Sequence, residues 1–272
     1  MRLLVDIGNT RIKWLCVDDG QEIPFSRSLN AIHHRQKFHE AYLECFSDGQ
    51  FSSREKIKSI HVSNVAGKQA REELTAFAQK KWNLLPNFMK VERQQCGISN
   101  GYTRLSELGV DRWMAVLGAR KIFSNGNIII VNCGTAITVD WLDDMNRFQG
   151  GAILPGFELA AKALSNADGI NSFRPKQSDQ VVGVQTSECV QLGVFSACVG
   201  GVEKIVNNIQ SKLKKDESFL LVSGGAAPLL ENAWSLSDSF FIDASFNECK
   251  YDANLILRGL NKVLECDTYF ES

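Results

Sequence analysis

The chain has 272 residues, 44% of them apolar and 22% charged, with a formal net charge of −1 and a pI near 6.4. A globular chain of this size, one large domain or two smaller ones, buries roughly three-quarters of its unfolded surface and needs no staples; near-zero charge excludes a general attraction to nucleic acid or anionic lipid. Eight scattered cysteines with no C-x-x-C, no His pair at ligand spacing, no signal peptide and no stretch approaching a membrane span predict a cytoplasmic protein whose thiols are reduced and serve packing.

The first segment is Leu3-Leu4-Val5-Asp6-Ile7-Gly8-Asn9-Thr10-Arg11-Ile12-Lys13-Trp14. Leu3 to Val5 predict a buried strand, Asp6 to Thr10 a tight turn, and Ile12, Trp14 and Cys16 a returning strand with alternating burial. The N–H groups of such a turn and the Thr10 hydroxyl can hold phosphate oxygens, while Asp6 faces a metal ion or its water. Taken alone, the segment reads equally as an ordinary hairpin, since Asn and Gly are turn residues. Glu22 to Ser28 predict a third strand, and 31–47 a helix with Phe38, Tyr42 and Phe46 four apart. His33, His34 and His39 sit among polar residues and read as a solvated face rather than a metal site. A strand at Ile57 to Val62, a helix over Lys68 to Trp82 and a strand at Phe88 to Val91 complete a mixed sheet flanked by helices. Gln94 to Val110 is a polar, Gly-bearing loop leading into a helix that opens with Asp111-Arg112-Trp113-Met114. Such a loop suits substrate contacts; Asp111 reads equally as a helix N-cap and Tyr102 as a cover for the core.

At Ile128-Ile129-Ile130-Val131-Asn132-Cys133-Gly134-Thr135-Ala136-Ile137-Thr138-Val139-Asp140-Trp141 the opening pattern returns. Asp6 corresponds to Asn132 and Gly8 to Gly134, both at an offset of 126 residues, about half the chain. The repeat predicts two related lobes, 1–118 and 119–272, each offering a phosphate-binding hairpin to a shared cleft. Beyond it follow a strand at Phe148 to Leu154, a Pro155-Gly156 turn, a helix over Phe157 to Ala167, and a loop over 168–185. A long helix is expected over Thr186 to Lys215, striped by Val194, Cys198, Val202, Ile205, Ile209 and Leu213. Phe219 to Val222 predict a strand entering Ser223-Gly224-Gly225, where glycines admit a flat ligand to the backbone or simply make the turn. Phe240 to Ile242 and Asn254 to Leu264 read as a last strand and a last helix.

The paired hairpins resemble those of acetate and sugar kinases, heat-shock ATPases and actin. Taken with Tyr102, Gly109-Val110-Asp111-Arg112, Gly150-Gly151-Ala152-Ile153-Leu154-Pro155-Gly156 and Ser223-Gly224-Gly225, the set resembles type III pantothenate kinase. The resemblance implies an α/β chain of two ribonuclease-H-like lobes with the active site in the cleft between them. It also implies ATP-dependent phosphorylation of pantothenate, the first step toward coenzyme A, by a homodimer using Mg2+ and a monovalent cation, K+ or NH4+. Carried over by motif, Asp6, Ile7, Gly8, Asn9, Thr10, Arg11, Ile12 and Lys13 would hold the ATP phosphates and metal, and Thr135 would contact ATP. Tyr102, Gly109, Val110, Asp111 and Arg112 would contact pantothenate, with Asp111 accepting the proton of the attacking hydroxyl; Thr186 would reach substrate across the dimer interface. A carboxylate at a helix's positive end is expected to be a weak base.

One residue departs from the family pattern: Asn132 stands where the family carries the Asp that ligates the monovalent cation. That substitution keeps open a regulatory protein retaining the fold without turnover, and the hairpins shared across the superfamily keep open another of its kinases.

Overall fold

The computed structural model describes residues 1–18, 21–22, 29–32, 38–46, 57–165, 181–213, 217–236 and 246–268. They form two units, Met1–Ile122 with Leu255–Ser272, and Phe123–Asn254. The last helix, assigned to the second lobe by the duplication, therefore groups with the first unit.

The first unit runs β1 (Arg2–Ile7), β2 (Arg11–Asp18), β3 (Gln21–Glu22), β4 (Leu29–Ile32), α1 (Phe38–Cys45), β5 (Ser59–Asn64), α2 (Lys68–Trp82), β6 (Asn87–Phe88), β7 (Gln94–Gln95), β8 (Ile98–Asn100), a 3-10 turn at Leu105–Glu107, and α3 (Val110–Ile122). Its sheet has the order β3-β2-β1-β5-β6, with β4 also pairing β2. β1 is antiparallel to β2 and parallel to β5. Alternation decides the faces: Leu3, Val5, Ile7, Ile12, Trp14, Cys16, Ile60 and Val62 pack into a core with Phe38, Tyr42 and Phe46 of α1 and Ala70, Leu74 and Phe77 of α2. The Tyr42 hydroxyl donates to the Ala70 carbonyl at 2.8 Å, joining the two helices.

The helix expected from residue 31 begins at Phe38 instead, because 29–32 pair with Arg11–Trp14 of β2. Residues 23–28, within the expected third strand, and 33–37, with His33 and His34, lie outside the described residues, as does the His39 side chain. The strand expected at Phe88 to Val91 is the short pair Asn87–Phe88, and the Gln94 to Val110 loop contains the β7–β8 hairpin.

On the opposite face, α7 (Leu255–Thr268) packs on β1 and against α3. Gly118 and Gly259 bring these helices backbone to backbone: a Cβ at 259 would collide with the Met114 carbonyl and one at 118 with the Leu255 carbonyl. Lys121 Nζ and Glu265 Oε1 close the pair at 2.7 Å. This contact carries the last helix to the first unit, and a period-based reading has no means of seeing it. The expectation that every cysteine serves packing fails at Cys96 and Cys266, which are joined in a disulfide with Cα atoms 5.7 Å apart. The bond fastens the β7–β8 turn to α7.

The second unit runs β9 (Asn127–Cys133), β10 (Ala136–Leu142), β11 (Arg147–Pro155), α4 (Phe157–Ser165), α5 (Thr186–Gln210), β12 (Ser218–Ser223), α6 (Ala227–Leu236) and β13 (Glu248–Tyr251). Within it the strand order is β13-β12-β9-β10-β11. Again the central strand, β9, is antiparallel to the next strand and parallel to a later one, β12. Ile129, Val131, Cys133, Ile137, Val139, Leu220 and Val222 pack against α4, α5 and α6. Residues 166–180 and the strand expected at Phe240 to Ile242 lie outside the described residues, and β13 was not foreseen.

The expectation of no membrane-length stretch needs correction: α5 is long and apolar enough to cross a membrane, with 22% of its most apolar window buried. Small residues and a lack of charge raise its hydropathy without lengthening its side chains. Val194, Cys198, Val199, Val202 and Val206 are its buried face, which sits in the core of the second unit.

Candidate active site

Asp6 stands near the end of β1 on the face it shares with buried Leu4. Its backbone pairs with Lys13 across the hairpin and with Ser63 on β5, so the three side chains project to one side of the sheet. The turn between them is closed by Gly8 N–H donating to the Arg11 carbonyl at 3.0 Å, and a Cβ at Gly8 would sit 3.3 Å from that oxygen. Asn9 and Arg11 are exposed, Thr10 and Lys13 partly so, and Ile7 and Ile12 anchor the hairpin in the core.

Asp6 is 6% exposed. Burial pushes its carboxyl up to about 7; Lys13 opposes the shift, the nearby Asp111 charge adds to it, and Ser63 opposes it least. Oδ1 of Asp6 and Oγ of Ser63 are both buried without a geometric hydrogen bond, so Ser63 acts by proximity. A buried carboxylate oxygen with no donor fits a cation. Among the described residues no three His, Cys, Asp or Glu side chains cluster around it.

Asp111 occupies the first turn of α3 but is not its cap: the Trp113 N–H donates to the Gly109 carbonyl at 3.2 Å, placing Gly109 at the start. The Asp111 Oδ1 instead accepts the N–H of Arg112 at 2.8 Å. The carboxylate lies over Gly109, where a Cβ would come within 2.5 Å of Oδ1 and turn the Asp111 side chain aside. Burial raises the Asp111 carboxyl above its ordinary range, against the Arg112 N–H and guanidinium. The weak base expected at a helix N-terminus is thus corrected: desolvation outweighs the helix end and makes Asp111 a stronger base.

Arg112, 5% exposed, donates from Nη1 to the Tyr102 hydroxyl at 2.7 Å and stands 5.6 Å above the ring centroid. Asp6, Lys13, Asp111, Arg112 and Tyr102 are therefore linked within the first unit, beside a partly buried Val110. Arg93, Gln95 and Ser63, which brace these residues, escaped the sequence reading; only Ser63, at the end of a predicted strand, carried a signal.

The remaining site residues belong to the second unit. Asn132 pairs with Thr138 on β10 and Ser223 on β12, as Asp6 pairs with Lys13 and Ser63. The Thr138 Oγ1 there is buried without a hydrogen bond. Exposed Thr135 tips the hairpin, and its carbonyl accepts the Gly156 N–H at 3.1 Å. Gly224, at φ 98°, lies on the Cys133 backbone too closely for any Cβ, and Ala226 N–H donates to the Cys133 carbonyl at 3.1 Å. Two strand-to-helix turns thus meet the second hairpin. Burial, the Glu231 charge and Cys198 push the Cys133 thiol up to about 12, so it is an inert packing group. Thr186 is exposed at the start of α5.

Comparison with known proteins agrees with this arrangement. Solved structures of similar fold include a Campylobacter jejuni protein described as a conserved Baf family transcriptional activator, 21% identical with a TM-score of 0.58, covering 98% of this chain and 99% of that one. The activator of 2-hydroxyisocaproyl-CoA dehydratase from Clostridium difficile, with bound ADPNP, is 14% identical with a TM-score of 0.54, covering 100% and 97%. A ROK family glucokinase from Streptomyces griseus with glucose and AMPPNP is 12% identical with a TM-score of 0.51, covering 98% and 99%. These likenesses establish the fold alone. In sequence, the type III pantothenate kinase of Herminiimonas arsenicoxydans is 32% identical over 97% of both chains. That of Nitrosococcus oceani is 29% identical over 97% of this chain and 93% of its own. The family model for type III pantothenate kinase matches residues 2–208, and the chain belongs to that family.

Proposed function

We propose that this protein transfers the terminal phosphoryl group of ATP to the primary hydroxyl of pantothenate, giving 4'-phosphopantothenate and ADP. Family membership supports the reaction, and the proximity of buried Asp6 to half-buried Asp111 and to Lys13 supports the assignment of roles.

The hydroxyl oxygen of pantothenate forms the new bond to phosphorus as the bond to the ADP oxygen breaks, and the hydroxyl proton passes to Asp111. Phosphoryl transfer through a loose transition state demands positioning and charge neutralisation more than covalent help. The turn N–H groups of Asn9 and Thr10 and the Lys13 ammonium supply neutralisation on the ATP side, with Thr135 contacting the nucleotide. Tyr102, Val110 and Arg112 hold pantothenate, and Gly109 leaves the Asp111 carboxylate free to turn toward the hydroxyl. Mg2+, held by Asp6 with the phosphates, would neutralise charge on the transferred group. The test is ADP release with Mg-ATP, with and without pantothenate. Stimulation by pantothenate supports the reading; basal release alone points to another kinase of the fold, and no release to a non-catalytic protein.

The monovalent cation is expected to matter less than the family pattern implies. Asn132 offers a dipole where a carboxylate offers charge, and its neighbours Thr138 and Ser223 add only neutral oxygens. Turnover in sodium, potassium and ammonium at fixed ionic strength should differ little, or saturate only at high concentration; Asn132→Asp should steepen the dependence. A potassium requirement saturating at low concentration in the unaltered chain would end this argument.

The chain is also proposed to be a homodimer in the cytoplasm. On α5, Gly193, Ala197 and Gly200 share an exposed face, and Val181, Val182 and Val184 just before it are exposed at 95, 73 and 87%. Thr186 stands where such an interface would bring it to a neighbouring subunit. Light scattering at micromolar concentration should give twice the chain mass; a monomer would rule the interface out.

A further inference from the structure

We infer that Arg93 is a positioning residue for the acceptor substrate, acting through the backbone of the loop that carries Tyr102. The inference rests on the reading of Tyr102 as a pantothenate contact. Arg93 lies just before β7. Its guanidinium donates from Nη1 to the carbonyls of Asn100 at 2.9 Å and Tyr102 at 2.6 Å. From Nη2 it donates to the Thr103 carbonyl at 3.3 Å. Its own carbonyl accepts the Asn100 N–H at 2.9 Å. One side chain therefore binds three of the four carbonyls between Asn100 and Thr103, a segment outside any strand except at Asn100. The planar fork makes this possible; an ammonium on a flexible stem cannot span the same three acceptors.

Asn100 completes the brace. It is 4% exposed, and its Oδ1 accepts the Tyr102 N–H at 3.0 Å. Both backbone groups of Tyr102 are thus held, the N–H by Asn100 and the carbonyl by Arg93. The phenol then meets Arg112 from a fixed backbone, one residue from Asp111. The other end of the hairpin is tied separately: Trp113 Nε1 donates to Gln95 Oε1 at 2.7 Å, and the Cys96–Cys266 disulfide fastens the turn. Removing Arg93 should therefore loosen residues 100–103 while the hairpin and α3 stay in place.

The test compares steady-state kinetics of Arg93→Ala, Arg93→Lys and Tyr102→Ala with the unaltered full-length chain. Misplacing a substrate-binding group by about an ångström can cost up to ~100-fold, so Arg93→Ala is expected to raise the KM for pantothenate about tenfold. The KM for ATP should stay within about twofold, since a binding loss confined to one substrate leaves the other's constant alone. Arg93→Lys should fall between, keeping one of the carbonyl contacts. If Tyr102→Ala raises the pantothenate KM and Arg93→Ala does not, Arg93 is only a surface residue and the substrate reading of Tyr102 survives. If neither variant changes it, that reading fails and takes the inference with it. A rise in both KM values with a lowered unfolding midpoint would make Arg93 a general stabiliser and overturn the positioning role.

Discussion

Asp111→Asn is expected to lower turnover by ~10²–10⁴-fold, the range for losing a general base, while ATP binding and the unfolding midpoint stay near those of the parent. The asparagine keeps the contact with the Arg112 backbone, because its amide oxygen can still accept the Arg112 N–H. It also keeps the shape that fits over Gly109. What it loses is the capacity to take the hydroxyl proton. The pH profile separates this from damage to binding. In the parent, turnover should fall on the acid side as Asp111 is protonated, and burial moves that limb above the usual carboxylate range. In the variant the Asp111 limb should be missing, and any acid limb that remains should be that of Asp6, whose carboxyl is raised to about 7. Near-parental turnover at saturating pantothenate would take Asp111 out of the reaction and leave it as a first-turn carboxylate of α3.

Much of this architecture was readable from pattern because the informative segments are apolar strands bounded by turn residues. Leu3 to Val5 form a continuous apolar run and Ile12, Trp14 and Cys16 alternate, so the two strands and the turn holding Asp6 followed from pattern. The same logic found β9 and β10, and the offset between Asp6 and Asn132 found the repeated hairpin. Three features were beyond such a reading. Packing of α7 on α3 depends on Gly118 and Gly259 lying opposite one another, a relation between residues far apart in sequence. The Cys96–Cys266 pair spans 170 residues, and eight cysteines leave too many pairings for spacing to choose among. The β7–β8 hairpin is built from two- and three-residue strands, too short for a period, and its turn uses positive φ at Cys96 as well as Gly97. Arg93 was missed for a related reason: its partners are backbone carbonyls, which leave no trace in side-chain identity.

The sign of the Asp111 pKa shift exposes the limit of local rules. A helix N-terminus stabilises a carboxylate by about 0.3–1 kcal/mol at an exposed site, but desolvation of a buried group can shift a pKa by several units. Sequence shows the helix start and not the depth of burial, so it predicted the smaller effect. Burial also raises the carboxyl of Asp6, which lies on a strand with no helix end beside it, to about 7.

Asp6→Asn is expected to cost activity and add stability together. Without its carboxylate the ATP side of the site loses a cation-holding group, and removal of a single preorganised charge-stabilising group costs about 10²–10³-fold in kcat. Higher Mg2+ or Mn2+ should recover part of that loss. The stability effect follows from the carboxyl being moved from 3.8 to about 7, chiefly by burial. Burial penalises the ionised form only in the folded chain. The folded protein is therefore free of the penalty below pH 3.8, loses stability as pH rises from there to about 7, and carries the full penalty above it. A shift of this size corresponds to a penalty on the order of 4 kcal/mol. An amide has no charge to desolvate, so ligand-free Asp6→Asn should unfold at a higher temperature than the parent at pH 8, by about 5 °C or more for a chain of this length. At pH 4 the two midpoints should converge, since the parent is then largely protonated. Mg-ATP should reverse the order by stabilising the parent more, as a ligand that binds the folded state preferentially must. Thermal melts of both proteins at the two pH values, with and without Mg-ATP, decide the matter. Equal midpoints at pH 8 without ligand would mean that Asp6 is not held as an unpaired buried charge, and unchanged ATP kinetics would reduce the first hairpin to a structural turn.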